Sequence, residues 1–196
     1  MNFLPFSILS SRVRADFCGL SGERRVVAAA PIAPGCLVAV FGGQLCNGSL
    51  VGGASSQPFP LQVEEDAFLW PADLSAARWI GHACQPNTGL VGAVSLVALE
   101  QILPGQPISF DYGTSLGSSA VAFDCACGRP LCRGRVSGDD WRRPDLWARY
   151  EGYFSPYLGR RIDAVSGIHS SRFSSAWAGR ARVPPTWRTA RAMPLF

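Results

Sequence analysis

The sequence predicts a mostly β domain of several small sheets, followed by a C-terminal helical segment. Three observations carry this expectation: a strand-turn-strand pattern that occurs twice, Gly- and Pro-rich connections between short apolar runs, and a change to helical spacing after Asp139. At 196 residues the chain is long enough for one ordinary domain with a core and appendages.

The repeated pattern is explicit. Val27-Ala28-Ala29-Ala30-Pro31-Ile32-Ala33-Pro34-Gly35 aligns at a constant offset with Val97-Ala98-Leu99-Glu100-Gln101-Ile102-Leu103-Pro104-Gly105. Each copy has an apolar strand and then an Ile-x-Pro-Gly turn, in which Pro fixes φ and Gly supplies a positive φ. A second strand follows, Leu37 to Phe41 in one copy and Ile108 to Tyr112 in the other. Between the copies, residues 46–58 form a Gly/Ser-rich loop, residues 61–69 read as one strand passing through Glu64-Glu65-Asp66, and residues 71–80 can hold a short helix. The small-residue stretch 113–120 reads as a loop.

From Asp139 the pattern turns helical. Pro144 suits a first helical turn, and Leu146, Trp147, Tyr150 and Phe154 fall on one face, so an amphipathic helix packing on the sheets is expected. Residues 165–196 hold five arginines, no acidic residue and the Pro184-Pro185 pair, and read as a mobile basic tail.

Composition narrows the setting. Hydrophobic residues are 47% and charged residues 16% of the chain, which allows a packed core and excludes wholesale disorder. No apolar run approaches bilayer length, and Met1 to Leu9 lacks a basic n-region and an adequate h-region, so an intracellular, soluble, cytoplasmic protein without membrane partners is expected. The net charge of +4 comes from 18 arginines with no lysine, and no motif for direct nucleic-acid binding is present. Seven cysteines cannot all pair, and in a reducing compartment thiols or metal ligation are favoured over disulfides.

Cys125-x-Cys127-x4-Cys132 contains Gly128 and Pro130, which let the backbone curl and direct thiolates inward. Three soft ligands need a fourth to complete a tetrahedral zinc site, and Cys84 is the candidate. From spacing alone, three free cysteines in a surface loop account for the pattern equally well.

The segment Arg78-Trp79-Ile80-Gly81-His82-Ala83-Cys84-Gln85-Pro86-Asn87 resembles the Arg-Phe-Ile-Asn-His-Ser-Cys-x-Pro-Asn motif of SET-domain protein-lysine methyltransferases. Ile108-Ser109-Phe110-Asp111-Tyr112-Gly113 is similar to that family's Leu-Thr-Phe-Asp-Tyr-Gly motif, and Cys125 to Gly134 resembles its post-SET tail. With the paired turns and Phe41-Gly42-Gly43, the resemblance covers roughly residues 15–135. It implies a SET fold in which the His82 to Asn87 and Phe110 to Tyr112 strands meet in a knot-like arrangement beside the cofactor. It also implies that Cys84 is the fourth zinc ligand, giving a domain at 1–120, a post-SET zinc motif at 121–137, a helical extension at 138–164 and the tail at 165–196.

The activity so implied is methyl transfer from S-adenosyl-L-methionine to the amine of a protein lysine or a small molecule. A lysine amine, with a reference pKa near 10.4, must lose its proton before attacking the sulfonium methyl. The resemblance makes Tyr112 the orienting hydroxyl and places Phe110 where room remains for further methyl groups. Phe123 walls the channel, while His82, Gly81, Tyr112, Phe123 and Gly22 contact the cofactor.

The chain also departs from the family. Gly81 and Ala83 stand for Asn and Ser, the family's Gly-x-Gly falls near Glu23-Arg24-Arg25 with only Gly19 and Gly22 close by, and Phe41 replaces a Tyr. Each charge-assisted hydrogen bond so lost is worth roughly 1.5–3 kcal/mol. Two alternatives follow: a SET-like module that binds a partner without catalysis, and an enzyme using Tyr112, His82 or Asp111 on a small molecule. The short insert before Arg78 leaves little surface for a long peptide, which favours a small or non-histone substrate. The sequence leaves the oligomeric state open.

Overall fold

The computed structural model describes residues 6–17, 22, 24–48, 60–70, 76–119 and 121–167. Strands follow in the order β1 (Ile8–Leu9), β2 (Val13–Phe17), β3 (Arg24–Ala28), β4 (Leu37–Val40), β5 (Gln44–Asn47), β6 (Leu61–Glu64), β7 (Ala67–Trp70), β8 (Gly81–His82), β9 (Thr88–Val91), β10 (Ser95–Ala98), β11 (Ser109–Phe110), β12 (Ala122–Asp124) and β13 (Arg135–Ser137). Helices α1 (Pro144–Arg149) and α2 (Pro156–Ser166) close the described chain. The strands form a four-stranded sheet β1-β4-β10-β9, a three-stranded sheet β5-β7-β6, and the pairs β2-β3, β8-β11 and β12-β13. This is the architecture of several small sheets that the sequence predicts.

The two repeated units do not close as separate hairpins; each completes the other. Ile32 and Ile102 exchange both backbone hydrogen bonds at 2.9 Å. Gly35 N–H donates to Ala98 O and Gly105 N–H to Ala28 O, each at 2.8 Å, and Gly35 and Gly105 take the positive φ of 79° and 83° that their turns require. β4 therefore pairs with β10 of the second unit, while Val27 bridges to Pro107 of that unit. The buried side chains Val26, Ile32, Val38, Leu90, Leu96, Ile102 and Ile108 meet where the units cross and form the main core.

Three local expectations change. Residues 61–69 are a hairpin rather than one strand, with β6 and β7 antiparallel and the turn at Glu65-Asp66, because a run of three carboxylates belongs at a solvated tip. The strand at 108–112 shrinks to Ser109–Phe110; Asp111 then caps a 3-10 turn at Tyr112–Thr114 by accepting the Gly113 N–H at 3.0 Å. The helical pattern divides into α1 and α2, because Gly152 takes φ 83° and Ser155-Pro156 starts a new helix. Of the helix expected within residues 71–80, Ala76–Trp79 is a 3-10 turn and residues 71–75 lie outside the described residues. Of the Gly/Ser loop expected at 46–58, Cys46 and Asn47 belong instead to β5, and residues 49–58 lie outside the described residues, as do 168–196 of the basic tail.

Both helices pack a second core of Leu99, Trp141, Leu146, Tyr150, Tyr153, Phe154, Tyr157, Leu158 and Ile162. Arg160 reaches Glu64 at 2.6 Å, and Arg161 pairs with Glu65, so α2 is tied to the tip of the β6-β7 hairpin. Gly89 of β9 lies so close to this core that an added Cβ would stand 2.5 Å from Tyr153 Cδ1 and 2.8 Å from Leu99 Cδ2. Gly89→Ala is therefore expected to destabilise the fold by about 1–3 kcal/mol through overpacking, read from the shift in urea midpoint. No helix among the described residues is long and apolar enough to cross a membrane.

Candidate active site and metal centre

Cys84 lies after β8, and Cys125, Cys127 and Cys132 lie in the loop between β12 and β13. Their sulfurs all fall within 4.8 Å of one another, with Cys84–Cys125 and Cys125–Cys132 at 3.8 Å. Four thiolates about 2.3 Å from a tetrahedral zinc stand roughly 3.8 Å apart, so this donor set is close to the spacing a Zn2+ site needs. Gly128 and Gly134, at φ 66° and 72°, turn the loop inward. Cys84 is fully buried, so the metal would clip this loop to the body of the domain.

Beside the cluster lies a charge network in which the sequence assigns Arg133 no role. The Arg133 guanidinium forks onto Asp111 with two 2.7 Å hydrogen bonds, and its Nε lies 3.0 Å from Asp140. Arg133 and Asp111 are 3% and 0% exposed at their side chains, so neither charge is solvated and each depends on the other. The backbone N–H of Arg133 also points at Cys84 Sγ from 3.4 Å. One residue thus touches both the metal cluster and the residue preceding Tyr112. The Cys-Arg-Gly end of the post-SET motif was the available signal. With its carboxylate fully buried under Arg133, Asp111 is not free for chemistry on a small molecule.

The His82 ring is buried too. Its Nδ1 accepts the Tyr112 N–H at 3.2 Å, which leaves the proton of the neutral ring on Nε2, 3.3 Å from Cys84 Sγ. Burial pushes its pKa down to about 4, opposed by the Asp111 carboxylate and assisted by Arg133, so the ring stays neutral. The imidazole thus joins Tyr112 to Cys84.

Two cavities flank this core. One is aromatic, lined by Phe41, Phe110, Tyr112 and Phe123 with Leu61, Leu69 and Leu116. Ring centroids lie 5.7 Å apart for Phe41–Phe110, 4.7 Å for Phe110–Tyr112 and 5.8 Å for Tyr112–Phe123. The Tyr112 hydroxyl donates to Ile80 O at 2.9 Å, and burial pushes its pKa above the ordinary tyrosine value. The second cavity is an open cleft bounded by Arg24, Trp79, Gly81, His82, Pro107 and the cysteine loop. Arg78, Ile80 and Phe123 line both, so the cavities share one wall.

No family model matches the chain. Among curated proteins, 70 residues are 33% identical to histone-lysine N-methyltransferase ASHH2 of Arabidopsis thaliana, covering 32% of this chain and 4% of that protein. A further 75 residues' alignment is 29% identical to histone-lysine N-methyltransferase ash1 of Drosophila melanogaster, covering 35% of this chain and 3% of that one. The matched segment is thus a small part of these relatives' own length. Among solved structures, the methyltransferase domain of human histone-lysine N-methyltransferase SETMAR superposes with a TM-score of 0.51 at 16% identity, over 64% of this chain and 58% of that chain. The chain has the SET fold.

Within this SET fold, β8 and β11 run parallel, with Ser109 opposite Gly81 and Phe110 opposite His82. Asn87 clasps the same strand by donating to Pro107 O at 2.9 Å and accepting the Ser109 N–H at 3.1 Å. The parallel pairing brings Gly81, His82, Phe110 and Tyr112 together, and β12 adds Phe123, whose ring is 5.4 Å from His82. Gly22 is exposed and is not among the residues lining either cavity; the cleft wall runs instead through Arg24 and Arg25. Sequence reasoning missed this cleft role of the two arginines, for which the displaced Gly-x-Gly was the only sign.

Proposed function

We propose that this SET domain is an S-adenosylmethionine-dependent N-methyltransferase acting on a lysine or similar amine. The observation that carries the reading is the shared wall of Arg78, Ile80 and Phe123, which lets a methyl donor in the open cleft and an amine in the aromatic cavity approach the same point from opposite sides. S-adenosylmethionine would supply an activated methyl on its sulfonium, held by Ile80 to Ala83, Phe123 and the cysteine loop. Relatives named as histone-lysine methyltransferases support the same chemistry.

This chain's residues act on the amine. Phe41, Phe110 and Phe123 keep water from the channel and favour the neutral amine over its ammonium form. The Tyr112 hydroxyl keeps its proton, because burial raises its pKa; it orients rather than accepting the amine's proton. That proton must leave to solvent before attack. Phe110, wedged between Phe41 and Tyr112, brings no hydroxyl to the channel, which leaves space for a partly methylated amine to turn.

Isothermal titration of the zinc-loaded chain with S-adenosylmethionine tests the cofactor assignment, and absence of binding at millimolar concentration would sink it. Tyr112→Phe is expected to lower methyl transfer on the order of 10²–10³-fold while cofactor affinity stays close to that of the unaltered chain. Equal rates for the two proteins would remove Tyr112 from the mechanism.

A further inference from the structure

The cofactor cleft is basic: Arg24 and Arg25 stand where the family resemblance leads to Gly-x-Gly, and Arg78 matches the arginine that opens the family's Arg-Phe-Ile-Asn motif. Arg24, Arg25, Arg78 and Arg129 line it; among the described residues the one carboxylate lining it is Asp124, which already faces Arg135 at 3.1 Å. Arg25 is matched by Asp16 at 2.9 Å. Arg24 has no carboxylate partner among the described residues; its guanidinium is stacked on Phe17 and Trp79, 5.0 and 5.2 Å from the ring centroids. This stacking lays the side chain against the wall and leaves the cleft open. Arg78, next to Trp79, has a buried Nε without a hydrogen-bond acceptor among the described residues. A buried donor of that kind calls for an acceptor from a ligand. At Gly81, where the family's Asn would stand, an added Cβ would meet nothing within 4 Å.

We propose that Arg24 and Arg78 form a carboxylate clamp in the cofactor cleft, holding the amino-acid end of S-adenosylmethionine in place of the asparagine missing at Gly81. The inference rests on the methyltransferase reading and adds to it the residues that set the cofactor's orientation. The carboxylate is the cofactor's only anion, whereas its ammonium and sulfonium are cations that the arginines repel. The carboxylate end therefore faces Arg24 and Arg78, and the sulfonium is directed away from them towards Ile80 and Tyr112. Loss of the sulfonium charge on methyl transfer also makes S-adenosylhomocysteine the better-held ligand.

The test is calorimetric titration of the zinc-loaded chain with S-adenosylhomocysteine and with its decarboxylated analogue, which keeps the adenosine, thioether and amine. The unaltered protein is expected to hold S-adenosylhomocysteine about tenfold more tightly or better. In the Arg24→Gln/Arg78→Gln variant, checked for unchanged zinc content, that preference is expected to fall to about twofold. Equal affinities in the unaltered protein, or an undiminished preference in the variant, would overturn the clamp alone. Failure of S-adenosylhomocysteine to bind at all would overturn the methyltransferase reading and the clamp with it. Should the variant not fold, salt titration of the unaltered protein decides: a preference that shrinks with added salt supports the clamp, and one that does not refutes it.

Discussion

Cys84→Ser is expected to leave purified protein with far less than one zinc per chain, measured by elemental analysis. In the proposed four-cysteine site Cys84 is the member that comes from the body of the domain, so its loss would unfasten the loop carrying the other three. The segment from β12 to β13 has little core of its own: Val136 is its fully buried side chain, and Phe123 is only partly covered. Structural zinc in small peptides contributes about 10–16 kcal/mol to folding, and here the metal's contribution would go into holding this segment. Amide exchange should accelerate across residues 121–137 first, and a chelator should reproduce the effect on the unaltered chain. A Cys84→Ser protein that keeps one equivalent of zinc would disprove the four-cysteine site.

Arg133→Met is expected to cost about 3–5 kcal/mol in stability, because it leaves Asp111 and Asp140 buried without their counter-charge. Chemical denaturation would show the loss as a lowered midpoint. A second change, Asp111→Asn, removes the stranded carboxylate and should recover part of the loss in a double-mutant cycle. Independent, additive losses would show that the two residues are not coupled as the geometry indicates. Cofactor affinity provides a further readout: Asp111 immediately precedes Tyr112, so displacing it should weaken binding in the adjacent cleft as well.

The parts of this fold legible in the sequence are those with local signatures. The Ile-x-Pro-Gly turns announce Gly35 and Gly105 through the φ they demand, and Cys125-x-Cys127-x4-Cys132 announces inward-facing thiolates. Cys84 became a ligand through the resemblance of the motif around it, since no spacing rule connects it to a loop forty residues away. Arg133, Asp111 and Asp140 were illegible as a network: each has the composition of a surface charge, and only their burial joins them. Gly152 likewise divides one helical periodicity into two helices because its backbone turns to a conformation that side-chain spacing does not record. Arg24 and Arg25 of β3 line the cleft, a role that no local sequence signature announces.

The reciprocal pairing of the two turn units bears on how the chain is made. While only the first unit has left the ribosome, β3 can pair with β2 and β4 with β1, but their other edges still lack Ser95 to Ala98 and Gln106 to Ile108. Unpaired apolar edges of this kind invite contacts with other chains. Synthesis must pass Ile108 before both units can be completed, so until then the nascent polypeptide carries one edge of each strand pair unprotected, the period in which a chaperone would have most to do.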